Sequence, residues 1–373
     1  MNDYIFWEKY LNDIRKRIDK LIQEQKDVTI DLHLHSTHST DGAQTLKEII
    51  EIARKNRFDL ISITDHDTVA VYDELFNYLK DNKLDDLIII PGVEFTVENE
   101  EYGGQCHILQ YMINPKSEEI KNDVKKSLDS YYTRTNIQFK RLEQNEALQK
   151  ILKENNIQIS KKEYFRYLDK LHNPIPDYAS LTAYITNKLL EKNVTVLDVF
   201  DALEQTNKHD LCKERRLMKT KRYKVLREKY KDREDAYKSP RLLLSIMGVK
   251  GVDDDYFKEY EPCGSISVNS YGQLRIEDLN NKNITVFAHP TESRIDLLDK
   301  LIKLNNAFVG LEDNSRNIYE IKDKLLNKAK QLNFIITKGS DRHKDDNLYD
   351  DMSFYKIKSK DFKKMMGVFY GKH

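Results

Sequence analysis

The sequence predicts an α/β fold in which short buried strands alternate with amphipathic helices. β-Branched apolar runs at residues 28–33, 60–64 and 87–93 are separated by helix-like segments at residues 45–56 and 68–82. This order predicts parallel strands, because each helix carries the chain back across the sheet. Histidine or aspartate follows several of these runs directly, and that end of the strands is where a barrel places its chemistry.

The alternation stops after residue 115 and resumes near residue 284. Further strands are predicted at residues 106–113, 284–288, 308–311 and 334–338, with helices at residues 295–305 and 318–331. Helical periodicity dominates the stretch between the two halves. We therefore divide the chain into an N-terminal helix (1–26), a first barrel half (27–115), a helical insertion (116–262) and a second barrel half (263–373).

Composition excludes several classes of protein. Lysine plus arginine and aspartate plus glutamate both number 62, so global attraction to nucleic acid is not expected. The three cysteines form no C-x-x-C pair, which indicates reduced thiols in a cytoplasmic protein. The charged N-terminus is unlike a signal peptide, and no apolar run reaches the roughly 20 residues that span a bilayer.

Two helical stretches suggest contacts with partners. In the first helix Trp7, Leu11, Ile14, Ile18 and Leu21 are spaced 4-3-4-3, which suits either a homodimer seam or packing on the same domain. Residues 213–241 hold 13 basic and 5 acidic residues, with tyrosines seven apart. This second stretch is either a face for phosphates or nucleic acid, or a solvated helix whose tyrosines pack inward.

Histidines and carboxylates at strand ends predict a metal site. His33 and His35 lie two apart on a strand, so both imidazoles point to one face and could bind one cation. His66, Glu94, His289, Asp341 and His343 also follow predicted strands. Histidine and carboxylate ligands without cysteine suit zinc, manganese or iron. A carboxylate such as Glu94 could bridge two of these ions.

Six short motifs resemble those of the polymerase-and-histidinol-phosphatase (PHP) superfamily, in the same order. They are Asp31-Leu-His-Leu-His-Ser36, Ile63-Thr-Asp-His-Asp67, Pro91-Gly-Val-Glu94, His107-Ile-Leu, Ala288-His-Pro290 and Gly339-Ser-Asp-Arg-His343. The resemblance implies a distorted seven-stranded β/α barrel with two or three divalent metals at the strand ends. It implies three ligand sets: His33, His35, Glu94 and Asp341; Glu94, His107 and His289; and Asp41, His66 and His343.

Alternative residues exist for some of the ligands and substrate contacts that the resemblance implies. His38 competes with Asp41 as a ligand, although Gly42 after Asp41 matches the turn of the family. Asp65 and Asp67 flank His66 and are expected to support the metal ligands. The related phosphoesterases carry an Arg-Pro-His-like substrate motif where this chain has Pro176-Asp177-Tyr178-Ala179. Arg134, Arg141 and Arg342 are the alternative candidates for phosphate contacts.

The resemblance implies a phosphoesterase that hydrolyses nucleotides or short oligonucleotides through a metal-activated hydroxide. Asp341, Glu94 and His343 would be its catalytic residues. A histidinol-phosphate-like small molecule is an alternative substrate. A non-catalytic or regulatory PHP module that docks to a nucleic-acid-processing partner is the alternative from another class.

Overall fold

Within the described residues of the computed structural model, eight strands form one sheet. In chain order they are β1 (Val28–Leu34), β2 (Leu60–Ile63), β3 (Ile88–Asn99), β4 (Gly104–Tyr111), β5 (Ile284–Phe287), β6 (Phe308–Asn314), β7 (Ile335–Gly339) and β8 (Lys356–Ile357). Neighbouring strands follow the order β7-β6-β5-β4-β3-β2-β1-β8. The α/β class is confirmed, and the expected count of seven strands is corrected to eight because the short β8 adds to β1.

The structure describes residues 3–39, 41–99, 104–144, 146–170, 175–194, 274–279, 283–296, 298–305, 307–315, 319–343, 349 and 351–371. The chain divides into two compact units, of which the first comprises Met1–Leu128 and Gln273–His373. The second unit begins at Asp129. The predicted basic stretch at residues 213–241 lies outside the described residues.

Helices connect and cover the strands of the first unit. They are α1 (Asp3–Gln23), α2 (Leu46–Lys55), α3 (Val71–Asp81), α8 (Glu292–Ile295), α9 (Leu298–Leu304), α10 (Tyr319–Gln331) and α11 (Ser359–Phe369). α2 begins with a capping box, in which Thr45 accepts from the backbone of Glu48 and the Glu48 side chain accepts from Thr45. Asp41 lies in the loop just before this cap, so the fixed start of α2 restricts the position of Asp41.

Strand β4 departs from the predicted parallel arrangement. It pairs antiparallel with both β3 and β5, whereas β1–β2, β2–β3, β5–β6 and β6–β7 are parallel. Only residues 100–103 connect β3 to β4, and a connection this short allows a hairpin but not a helical crossover. The expectation of uniformly parallel strands is therefore wrong at β4.

The two ends of the sheet approach each other at the site of the predicted metals. After β7, the backbone N–H of Asp341 donates to His33 (3.0 Å) and the N–H of His35 donates to Arg342 (2.9 Å). Leu34 and Arg342 form an isolated parallel bridge. The chain after β7 thus pairs with β1, which brings Asp341 and His343 beside His33 and His35.

Helix α1 belongs to the core of the first unit. Trp7, Leu11, Ile14 and Ile18 are buried, and Trp7 makes edge-to-face contacts with Tyr10 and Tyr72. Ile14 and Ile18 pack with strand residues and with α11. The 4-3-4-3 stripe is therefore buried within its own chain and is not an open seam for a second copy.

The described residues of the second unit are helical. α4 (Glu118–Gln144) enters it from the first unit, and α5 (Glu146–Glu154), α6 (Lys161–Lys170) and α7 (Tyr178–Leu190) follow. Tyr164 is buried there and contacts the rings of Phe139 and Tyr184. Asp177 caps α7 by accepting from the N–H of Ser180 at 2.7 Å.

None of the described helices is long and apolar enough to cross a membrane.

Candidate metal centre

Two buried histidines lie side by side on strand β1. The alternation of side chains puts His33 and His35 on the same face, and their Nε2 atoms lie 3.1 Å apart. Both rings are almost completely buried. Two imidazole nitrogens this close together need either a proton or a cation between them and the neighbouring carboxylates.

Glu94 on β3 lies at the centre of the histidines. Its Oε2 is 2.9 Å from His33 Nε2, 3.1 Å from His35 Nε2 and 3.3 Å from His66 Nδ1. Its Oε1 is 3.0 Å from His107 Nδ1 and 3.2 Å from His289 Nε2. One fully buried carboxylate thus contacts five imidazoles, with each oxygen facing a different set.

The remaining carboxylates complete two sides of this cluster. Asp341 Oδ1 lies 3.2 Å from His35 Nε2 and 3.4 Å from His33 Nε2. Asp41 Oδ2 lies 3.0 Å from His343 Nε2 and 3.5 Å from His66 Nε2. His38 instead contacts Glu74 at 3.0 Å, so the geometry favours Asp41 over His38 as the ligand candidate.

All nine predicted ligands fall into three groups whose donor atoms lie within 4.8 Å of one another. The groups are His35, Asp41, His66 and His343; His33, Glu94, His289 and Asp341; and His66, Glu94 and His107. The nine residues are those predicted as ligands, but three histidines are grouped differently from the prediction. His35 lies with Asp41, and His289 lies with His33. His66 lies with His107 as well as with Asp41. Adjacent groups share donors, as expected for closely spaced cations.

The charges of the cluster are strongly coupled. Burial favours neutral rings, yet the carboxylates Glu312, Glu94 and Asp341 together raise the pKa of His33 well above its usual value. Burial would lower the pKa of His66 as well, but the nearby carboxylates Glu94 and Asp41 outweigh burial and raise this pKa to about 10. Burial would raise the pKa of Glu94, but His33, His66 and His107 lower it well below the usual range. Glu94 is therefore ionised.

This donor set fits divalent metals. Imidazole nitrogens and carboxylate oxygens converge without cysteine, a combination that suits zinc, manganese or iron. Among the described residues His66 Nδ1 is buried yet has no hydrogen-bond partner, although Glu94 lies 3.3 Å away. A bound cation would satisfy that nitrogen and would replace the protons that hold the imidazoles and carboxylates together.

Asp65 and Asp67 hold backbone near the cluster. Asp65 accepts from the N–H and the hydroxyl of Ser36, both at 2.6 Å. Asp67 accepts from the N–H of Thr96 at 3.0 Å and from the hydroxyl of Ser127 at 2.7 Å. Both carboxylates therefore fix segments next to the predicted ligands His35, His66 and Glu94.

Three residues of the cluster have left-handed backbone conformations. φ is 56° at Asp67, 26° at His289 and 53° at Asp341. Each such residue costs about 1–3 kcal/mol and persists only where its surroundings hold it in place. Strain of this kind concentrates at functional sites, and here it falls on two predicted ligands and one predicted supporting residue.

Glu312 and Asp31 make contacts near the cluster that were not predicted from the sequence. Glu312 is fully buried on β6, where its carboxylate contacts His33 Nδ1 at 2.8 Å. Asp31 accepts from the hydroxyl of Tyr349 at 2.8 Å and from the N–H of Ser340 at 3.0 Å, and burial raises its pKa to about 6. Glu312 follows an apolar run, as Glu94 does, so the same sequence signal could have found it.

The three predicted phosphate contacts have different surroundings. The guanidinium of Arg342 is buried and lies 4.6 Å from the centre of the Tyr349 ring. In the second unit the guanidinium of Arg134 lies 4.2 Å from the Tyr131 ring. The side chain of Arg141 is outside the described part of the chain. A role for these arginines in binding substrate stays a prediction.

Comparison with known proteins agrees with the sequence motifs. The PHP domain family model matches residues 31–210. No curated protein matches the chain. An amidohydrolase from Chromobacterium violaceum, solved with bound sulfate and no metal, is 17% identical with a TM-score of 0.51, covering 89% of this chain and 98% of its own. A candidate metal-dependent phosphoesterase from Bifidobacterium adolescentis is 18% identical with a TM-score of 0.48, covering 88% and 97%.

The amidohydrolase shows the same fold, and the family match covers the motifs from Asp31 through His107 on β1 to β4. The later ligand candidates, from His289 to His343, are brought to the same point by the closing of the sheet. Residues 31–210, just under half of the chain, match the PHP domain family, and the sequence motifs and the fold agree with that match.

Proposed function

We propose that this protein is a metal-dependent phosphoesterase that uses two or three divalent ions, manganese, zinc or iron. The observation that carries the proposal is the position of Glu94, a buried carboxylate within 3.3 Å of five histidines. A bridging carboxylate between imidazoles is how a protein holds two cations close together for phosphoryl chemistry.

The nine candidate ligands are assigned to three metal positions. His33, His35, Glu94 and Asp341 would hold the first metal, and Glu94 with His107 and His289 would hold the second. Asp41, His66 and His343 would hold the third, at the more exposed side of the cluster, because the Asp41 side chain is 45% exposed. Bound divalent ions would lower the pKa of water at the site and offset negative charge on phosphate. Asp341, Glu94 and His343 keep the proposed catalytic role, because Glu94 is common to the first and second positions and Asp341 Oδ1 lies 3.6 Å from His343 Nε2 of the third.

The substrates we propose are nucleotides or short oligonucleotides, in a cytoplasmic setting. The resemblance to stand-alone PHP phosphoesterases and the basic composition of residues 213–241 support this choice. A histidinol-phosphate-like small molecule would need no such basic stretch. Homodimerisation through α1 would have to use its outer face, since the apolar stripe is buried.

Phosphate release with and without Asp341 tests the activity. Asp341→Asn keeps the shape of the side chain and the left-handed backbone, which Asn tolerates, but removes a charged donor. We expect activity to fall by about 10²-fold or more. Asp351→Asn, at an exposed loop residue, is the control and should leave activity unchanged. A fully active Asp341→Asn protein would contradict the proposed site.

A substrate panel tests the specificity. Metal content is measured first, and phosphate release is then followed on mononucleotides, short oligonucleotides, histidinol phosphate and an aryl phosphate with manganese and with zinc. We expect the nucleotide substrates to have the highest kcat/KM. Preference for histidinol phosphate would leave the phosphoesterase proposal standing and refute the substrate class. A metal-free, inert protein would support the regulatory module instead.

A further inference from the structure

Glu312 contacts two predicted metal ligands at once. Its Oε1 lies 2.8 Å from Nδ1 of His33, and its Oε2 accepts a hydrogen bond from the backbone N–H of His289 at 2.6 Å. His33 and His289 belong to the same group of candidate ligands, with Glu94 and Asp341. Glu312 itself is in none of the groups, so its contacts are to the ligands and not to the metal position.

The neighbouring strand is shaped around this carboxylate. A Cβ at Gly339 on β7 would lie 2.1 Å from Glu312 Oε1 and 2.4 Å from the Cβ of His33. Any side chain at this position would therefore displace Glu312 or His33. The glycine lets β1, β6 and β7 meet closely enough for the carboxylate to reach the imidazole.

The contact with His33 determines which ring nitrogen faces the cluster. A carboxylate oxygen only accepts hydrogen bonds, so Nδ1 of His33 must carry a hydrogen. Nε2 faces the candidate metal position, where Glu94 Oε2 lies 2.9 Å away and Asp341 Oδ1 3.4 Å away, and its lone pair would be free for a cation that displaces the proton. A histidine that binds a metal needs this arrangement, with the other nitrogen held by an acceptor.

The contact with His289 holds a strained backbone. The φ of His289 is 26°, an unfavourable value for a residue with a Cβ. The 2.6 Å hydrogen bond from its N–H to Glu312 compensates for that strain. The strained backbone in turn places His289 Nε2 3.2 Å from Glu94 Oε1, whereas His33 contacts the other oxygen, Oε2.

We propose that Glu312 is a positioning residue of the metal centre, one carboxylate that sets the tautomer of His33 and fixes the backbone of His289. This inference rests on the metal centre of the proposed function. If Glu312 served only to fill the core, an uncharged side chain of the same shape would replace it without affecting metal binding.

Glu312→Gln is the decisive variant. The amide has one accepting oxygen and one donating nitrogen, so it cannot accept from both His33 Nδ1–H and His289 N–H. If the NH₂ group faces His33, the hydrogen of that ring moves to Nε2 and blocks the metal position. If it faces His289, the strained backbone loses its hydrogen bond. Either outcome weakens metal binding, because His33 and His289 are both candidate ligands in contact with Glu94.

The readouts are zinc affinity and the ¹⁵N spectrum of histidines in the zinc-loaded protein. We expect zinc to bind about 10- to 100-fold more weakly to Glu312→Gln than to wild type. The Nδ1–H signal of His33, assigned by its absence from a His33→Ala protein, should shift or disappear. Asp313→Asn is the matched control: Asp313 is the next residue on β6, is buried, and contacts Lys322 instead of a histidine. It should bind zinc as wild type does.

Glu312→Asp provides a second test if Glu312→Gln does not fold. The shorter carboxylate still only accepts hydrogen bonds, so the Nδ1–H signal of His33 should persist while zinc affinity falls. Wild-type affinity and an unchanged His33 signal in Glu312→Gln would overturn the inference and leave the phosphoesterase proposal intact. A wild-type protein that binds zinc but releases no phosphate would refute the activity alone. A wild-type protein that binds no divalent ion would refute both.

Discussion

Glu94 shows how much one residue can do when the fold surrounds it. Burying an unpaired carboxylate is costly, and this one is fully buried. Its two oxygens face different histidines, and those histidines lower its pKa well below the usual range against the effect of burial. The same contacts that make the ionised residue tolerable in a protein without metal make it a bridging ligand when cations are bound.

Two carboxylate substitutions should therefore affect metal content unequally. Glu94→Gln removes a donor common to the first and second metal positions, so it should lower the bound metal by more than one equivalent. Asp41→Asn removes a donor of the third position alone and should lower it by about one equivalent or less. Elemental analysis of both proteins after dialysis, beside Glu51→Gln as an exposed control, measures the difference. Equal losses would contradict the bridging role of Glu94.

At the scale of elements, α1 is a structural part of the first unit, the one that contains the sheet. Trp7 is fully buried among the rings of Phe6, Tyr10 and Tyr72, at centroid distances of 5.2 to 5.6 Å. The neighbouring Tyr10 donates from its hydroxyl to the carbonyl of Ile89 on β3 at 3.1 Å. α1 is thus fixed to the strand that carries Glu94, which links the first helix of the chain to the site.

Trp7→Ala should cost about 3–5 kcal/mol in the free energy of unfolding, because it opens a cavity between α1 and α3. Ile5→Ala, at a position 47% exposed on the same helix, should cost about 0.5 kcal/mol or less. Urea denaturation at two protein concentrations provides the measurement. A loss at Trp7 that depends on concentration would show that the stripe packs between chains after all.

How far the sequence could predict these elements depended on whether a signal was local. The alternation of side chains on β1 is local, and it correctly placed His33 and His35 on one face. The direction of β4 is not encoded in its own residues, and the short connection at residues 100–103 was the available clue. Glu312 directly follows the predicted strand at residues 308–311, so its local signal equals that of Glu94, but it lies outside the six motifs that resemble the PHP superfamily. Its partners, His33 and His289, become neighbours only when the sheet closes.

At the scale of the whole molecule, the first unit holds protonated histidine where it would bind metal. In the metal-free protein the pKa of His66 is about 10, raised by Glu94 and Asp41 against burial, compared with an ordinary value of 6.5. The folded state therefore binds this proton more tightly than the unfolded state does. The resulting stability is fully present below about pH 6.5 and is lost as the pH rises through 10.

Metal binding has the opposite pH dependence. A cation needs the neutral ring of His66, so protons compete with metal and affinity rises with pH up to about 10. Burial would raise the pKa values of Asp41 and Asp341, but their histidine partners hold both below the ordinary range. Both carboxylates are therefore ionised throughout this pH range, and their contribution to metal binding does not change with pH. Between pH 7 and 9 the metal-free protein should therefore lose stability while the metal-loaded protein gains relative to it.

The difference in Tm between zinc-loaded and EDTA-treated protein should consequently widen from pH 7 to pH 9. The proton bound by His66 accounts for up to about 1.4 kcal/mol per pH unit, which corresponds to several degrees over this range. Calorimetric titration in buffers of different ionisation enthalpy should also detect proton release on zinc binding at pH 8. His38→Gln, which alters a histidine paired with Glu74 outside the cluster, should change neither result. A Tm difference that narrows with pH would mean that metal and protons do not compete for the same imidazoles.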